Sequence, residues 1–174
     1  MSGRTRTYRP GFFARFLPSG RWKLTLNPST PAVVRLVSSV SIDLACIDVA
    51  AITVSKALLW HCVEVRSSHR VDSLACLGEQ VAVQIAADLY GFINSHLFDL
   101  IASESDRLSE VDLRLRAITE HQRHYLAHAD LARAIAAVPG KAAAALSHPL
   151  FDPELMPSDL KAALPASLGF LTDQ

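Results

Sequence analysis

The sequence predicts an all-α chain: a single-domain antiparallel helix bundle with two long N-terminal helices, a third helix, and short C-terminal helices. Three observations predict it. Apolar residues recur at alternating steps of four and three from Val33 to Val65, which is the spacing of a helical seam. A second stripe at helical spacing runs from Leu74 to Ile101, and a third from Leu108 to Ala129. The connection Ser67–Arg70 is short, so the first two helices should lie antiparallel.

Composition sets the outer limits. The chain has 174 residues, is half hydrophobic and one-fifth charged, and has a formal net charge of zero. That is a globular composition with enough chain for a substantial core. The charge is unevenly placed. Residues 1–42 carry Arg4, Arg6, Arg9, Arg15, Arg21, Lys23 and Arg35, and the first acid is Asp43. Such a segment attracts a phosphate backbone without reading its sequence. Three cysteines (Cys46, Cys62, Cys76) without C-x-x-C spacing read as buried free thiols in a reducing, cytoplasmic setting. The run 36–55 is apolar, but Asp43 and Asp48 interrupt it, each at a cost of about 2.5–3.5 kcal/mol near a bilayer centre. No membrane span is expected.

In order, residues 1–31 form a basic arm, 32–138 the bundle and 139–174 accessory helices that dock on it. Residues 1–20 show no period, and their Arg-, Ser- and Thr-rich start also has transit-peptide composition. The aromatics Tyr8, Phe12, Phe13 and Phe16 lie among arginines, an arrangement that either stacks on bases or packs on the bundle. Arg21 to Asn27 alternates like a short strand closed by Asn27-Pro28. Ser29-Thr30-Pro31 then starts the first helix, covering about 32–67. Its many valines and isoleucines lower helix propensity, so packing must hold it. Asp72 or Ser73 caps the second helix, which reaches about 103 and contains Gly78 and Gly91, read as points of close helix contact. Ser105 or Asp106 caps the third. After Pro139-Gly140, Lys141–Ser147 forms a short helix, and Asp152 and Ser158 cap two more.

Chemistry concentrates on the third helix, in Glu120-His121-Gln122-Arg123-His124-Tyr125-Leu126-Ala127-His128. With Glu120 at zero on a helical wheel, the apolar stripe falls between about 140° and 240°, and His121, His124 and His128 within about 100° of Glu120. The histidines are therefore off the core face. Arg123 and His128 form R-x4-H with a polar residue, His124, directly after the arginine. This resembles the R-x4-6-H signature of the HEPN superfamily, and Leu126-Ala127-His128-Ala129-Asp130 resembles a run in its abortive-infection branches.

The resemblance implies an all-helical, often dimeric fold and a metal-independent endoribonuclease of a toxin or phage-defence system. It implies Arg123 and His128 as catalytic residues, His124 in support, no cofactor, RNA as substrate, and a cognate antitoxin or partner protein. The chemistry fits the residue types. A histidine moves a proton near neutral pH, and an arginine offsets charge on a phosphorane. On one unbroken helix the two lie about 140° apart, so a bend, arginine's reach or a two-fold dimer must join them.

Two other readings stand beside it. Glu120, His124 and His128 have i, i+4 spacing suited to a metal, although no second helix offers partner ligands, so no metal is expected. The different-class alternative is a non-catalytic helical module that dimerises or binds protein or nucleic acid. In that case Arg4, Arg6, Arg9, Arg15, Arg21 and Lys23 are the nucleic-acid contacts.

Overall fold

The structure, a computed structural model, describes residues 4–11, 17, 21–37, 41–104 and 140–163. It corrects the all-α prediction: among the described residues, seven strands precede the first α-helix. Strands β1 (Arg6–Tyr8), β2 (Lys23–Leu26), β3 (Val33–Val37) and β4 (Ser41–Ala45) form an antiparallel sheet in chain order. A 3-10 turn, Cys46–Asp48, leads into β5 (Val49–Ala57), β6 (Trp60–Ser67) and β7 (Val71–Leu77), a second antiparallel sheet, also in chain order. Helix α1 (Glu79–Ala102) follows, and the later elements are α2 (Gly140–Leu146), a 3-10 turn at Pro153–Leu155, and α3 (Ser158–Ala163). A run of strands followed by helices is an α+β architecture. No helix among the described residues is long and apolar enough to cross a membrane.

The predicted helix over 32–67 is thus four strands, and the prediction fails for a physical reason. In a strand a step of four keeps a residue on one face, and a step of three moves it to the other. Two of the three-residue steps fall where the chain changes direction: 44 to 47 enters the 3-10 turn and 58 to 61 crosses the β5–β6 turn, whereas 51 to 54 lies inside β5 and moves from one face of the strand to the other. The pattern imitates a heptad without marking a core. Ile47, Val54 and Leu58 on that seam are exposed, whereas the off-seam Val34, Leu36 and Val63 are buried. The valine and isoleucine content, which opposed a helix, fits a pleated surface.

The chain falls into two compact units, residues 1–96 and 97–174. In the first, β2 and β3 alternate cleanly. Leu24 and Leu26 are buried, and they pair across the sheet with buried Leu36 and Val34. Leu44 extends this inner face opposite Val34. Trp22, just before β2, is buried and donates its indole N–H to the Ala75 carbonyl of β7 at 2.9 Å, linking the two sheets. The predicted strand at Arg21–Asn27 is therefore β2, and its partners are β1 and β3 of the same chain.

In β7 the register with β6 slips between His61 and Val63. At this irregularity Cys76 adopts φ 63°, a left-handed backbone that a non-glycine residue rarely takes. All three cysteines are free and buried. Cys46 sits at the 3-10 turn with its thiol directed to the Pro31 carbonyl, and burial pushes that thiol up to about 12.

Helix α1 covers only part of the predicted second helix, because Val71–Leu77 is strand. Gly78 ends that strand and accepts the first helical hydrogen bond, from the Ala82 N–H at 3.0 Å. Glu79 in the first turn complements the helix dipole. Ala82, Ile85, Leu89 and Ile93 form its buried stripe in the first unit. A Cβ added at Gly91 would meet nothing within 4 Å, so this glycine does not serve close packing.

In the second unit, Phe98 and Phe151 make an edge-to-face contact at 6.1 Å. The Glu104 carboxylate accepts from the Ala142 N–H at 2.7 Å, satisfying a donor in the first turn of α2. The Asp152 side chain caps the 3-10 turn as expected, accepting from Glu154 N–H at 2.9 Å.

Candidate functional site

Arg123, His124 and His128, with the metal candidates Glu120 and His121, lie outside the described residues, as does Arg15. The all-helical scaffold that the family resemblance implied is not the fold of this chain. The other basic residues of the N-terminal segment are placed, and the structure divides them between two faces.

The register Arg6↔Leu26 and Tyr8↔Leu24 puts Arg6 and Tyr8 on the face of the buried leucines. Both reach Asp88 of α1: the Arg6 guanidinium forms an ion pair with it, and the Tyr8 hydroxyl donates to it. Burial pushes the Asp88 carboxyl up, but hydrogen bonds from Tyr8, Gln84 and Arg6 outweigh this and hold it below the ordinary value. Burial, together with the contact to Asp88, raises the Tyr8 phenol. Arg6 is therefore an anchor between an edge strand and the helix, and not a free contact for nucleic acid. Beside the anchor is a cleft of about 400 Å³, lined by Arg4, Arg6 and Asp88 with Leu26, Pro28, Ala87, Gly91, Phe92 and Ser95.

The opposite, outer face of the four-stranded sheet carries Thr7, Thr25, Arg35 and Asp43 in one cross-strand row. Arg35 makes a two-pronged bond to Asp43, at 2.7 and 2.9 Å. That hydrogen bond raises the guanidinium and lowers the carboxyl. A shallow cavity of about 320 Å³ lies here, lined by Thr25, Asn27, Thr30, Val33, Arg35 and Asp43. By strand alternation Lys23 lies on the side opposite the inward Leu24 and so faces outward, and Arg9 and Arg21, just beyond β1 and just before β2, are exposed. Among the described residues, Arg9, Arg21 and Lys23 have no ion-pair partner.

Of the aromatics set among the arginines, Phe12, Phe13 and Phe16 lie outside the described residues, and Tyr8 is tied to Asp88.

A third surface was hidden by the helical reading. The β5–β6 hairpin closes on Leu58-Leu59, which are 95% and 78% exposed, beside Trp60 at 42%. Lys56 pairs with His61 one register step behind, and Ala57 pairs with Trp60. The sequence signal for this hairpin was the alternation of Ile52, Val54 and Lys56 with Thr53, Ser55 and Ala57. It lacked the Asn-Gly or Asp-Gly that normally marks such a turn.

The fold and these surfaces define an α+β module with a basic sheet face and an apolar hairpin tip. Comparison with protein-family models, curated proteins and solved structures gives no significant match.

Proposed function

We propose that this chain is a non-catalytic docking module that holds phosphodiester groups on the outer face of its four-stranded sheet. The observation that carries this reading is the charge on that face. Arg35 and Asp43 neutralise one another, while Arg9, Arg21 and Lys23 are left without an opposing carboxylate among the described residues. Phosphodiesters occur in RNA and in lipid headgroups, and arginine holds either through paired hydrogen bonds. The Tyr8 ring, held through its hydroxyl on Asp88, is engaged within the fold, which supports contact with backbone phosphate at this face. Three free, buried thiols support a reducing, cytoplasmic setting.

The test compares wild type with the combined Arg9→Gln, Arg21→Gln, Lys23→Gln variant, titrated with single-stranded RNA and with anionic vesicles across salt concentrations. Losing three phosphate contacts lowers the salt slope on single-stranded RNA by about 2. An unchanged slope on both ligands contradicts the reading. Point substitution is preferable to deleting residues 1–20, because deletion also removes β1 and its Asp88 anchor.

A second reading, RNA cleavage by Arg123 and His128 with His124 in support, is favoured by the R-x4-H spacing alone. Cleavage that survives excess chelator and disappears in Arg123→Ala and His128→Ala supports it. Absence of cleavage by wild type rejects it.

A further inference from the structure

We propose that the Leu58-Leu59 tip of the β5–β6 hairpin inserts into the surface of an anionic lipid bilayer. The inference goes beyond the basic sheet face and does not depend on it, because the tip carries its own charge and apolar surface. Leu58 and Leu59 are the two most exposed large hydrophobics among the described residues, at 95% and 78%. They occupy a two-residue turn in which neither takes a positive φ, so the backbone tolerates leucine there without calling for it. Large apolar side chains exposed at 95% and 78% gain little from the fold, which points to a role outside it.

The order of chemistry behind the tip identifies the partner. First come the two leucines, then Trp60, then Lys56 beside His61. The only acid in β5 or β6 is Glu64, farther down the hairpin opposite Thr53. Apolar tip, tryptophan and cation in that sequence match acyl chain, interface and anionic headgroup along a bilayer normal. A convex two-residue tip also fits a deformable surface better than a protein interface, which buries about 800 Å² on each side. Surface insertion of this kind requires no membrane-spanning helix.

The test uses the full chain and sedimentation with vesicles of phosphatidylcholine mixed with phosphatidylserine, beside vesicles of phosphatidylcholine alone and soluble single-stranded RNA. The key variant is Leu58→Ser with Leu59→Asn, polar turn residues that a turn without positive φ accepts and that so keep the hairpin closed. Its partition onto the mixed vesicles is expected to fall about tenfold or more. Its circular dichroism, melting temperature and RNA binding stay at wild-type values. Lys56→Gln is expected to weaken partition about fivefold on mixed vesicles only.

If the Arg9, Arg21, Lys23 variant keeps wild-type partition while the tip variant loses it, the tip inference stands, and the phosphate face fails only if the salt slope on RNA is unchanged as well. Wild-type partition by the tip variant overturns the inference. So does binding of wild type to RNA but not to vesicles. Self-association that the tip substitutions abolish, without vesicle binding, overturns it in favour of a second copy of the chain.

Discussion

The two ends of the β5–β6 hairpin are similarly apolar and differently placed. At its root Val49, Val63 and Val65 are sealed from solvent, with Val63 opposite buried Leu74 of β7. At its tip Leu58 and Leu59 are open to water. The root's side chains have sheet neighbours that exclude water, so their removal leaves a cavity. The tip's side chains have no such neighbours, and the fold gains almost nothing from their size. Hydrophobicity at the root is explained by stability, and hydrophobicity at the tip is not.

The sharpest way to break this contrast is to truncate both ends. Leu74→Ala, facing Val63, is expected to cost about 2–5 kcal/mol in urea unfolding. A loss comparable to an exposed site would mean that the root is not a packed core. The edge anchor comes next. Tyr8→Phe removes the hydroxyl that Asp88 accepts from, and is expected to cost about 1 kcal/mol, since Tyr8 is only half-buried.

The same anchor predicts a pH window. The Asp88 carboxyl is held below its ordinary 3.8, so its stabilisation is complete above that value and is lost as pH falls through the depressed one. The Tyr8 phenol is raised above its ordinary 10.0, so its share is lost as pH rises beyond that. Unfolding measured against pH should therefore show Asp88→Asn losing less stability than wild type on acidification. Parallel acid limbs for the two proteins would refute the anchor.

Smaller effects belong to the exposed positions. Leu58→Ala and Leu59→Ala are each expected to change stability by about 0.5 kcal/mol or less. A larger loss would show that the tip is covered in the folded chain. The smallest change is expected from Arg35→Gln on the outer sheet face. Its pair with Asp43 is solvent-exposed and salt-screened, so the melting temperature in high salt should match wild type.

The sequence revealed the fold unevenly, for reasons that can be located. Where a stripe of helical spacing coincided with good helix formers, as from Glu79 to Ala102, a helix was readable and present, but its start was misplaced at Asp72 or Ser73, which lie in β7. The short strand near Arg21–Asn27 was readable from alternation, but its partners were not, because β1 has only three residues inside an arm without a period. Between Val33 and Val65 two periods competed. The three-and-four pattern matched a helix because two of its three-residue steps, 44 to 47 and 58 to 61, fell at strand ends, and the apolar content of β5 supplied the step from 51 to 54.

Strand parity, once known, sorts the basic segment. Arg6 turns inward to Asp88 and Lys23 turns outward, while Arg9 and Arg21 are exposed at the strand ends, a distinction that charge counting does not make. The tip was hidden for a related reason. Leu58 and Leu59 looked like part of a core stripe, and no glycine or asparagine announced the turn.

Tryptophan emission tests the tip most directly, because Trp60 lies beside Leu59 while Trp22 is buried and provides a constant background. Adding phosphatidylserine-containing vesicles with brominated acyl chains should shift the emission to the blue and quench it. Trp60→Phe should abolish both changes. Emission that stays unshifted and unquenched while the protein is bound to those vesicles would contradict insertion of the hairpin tip.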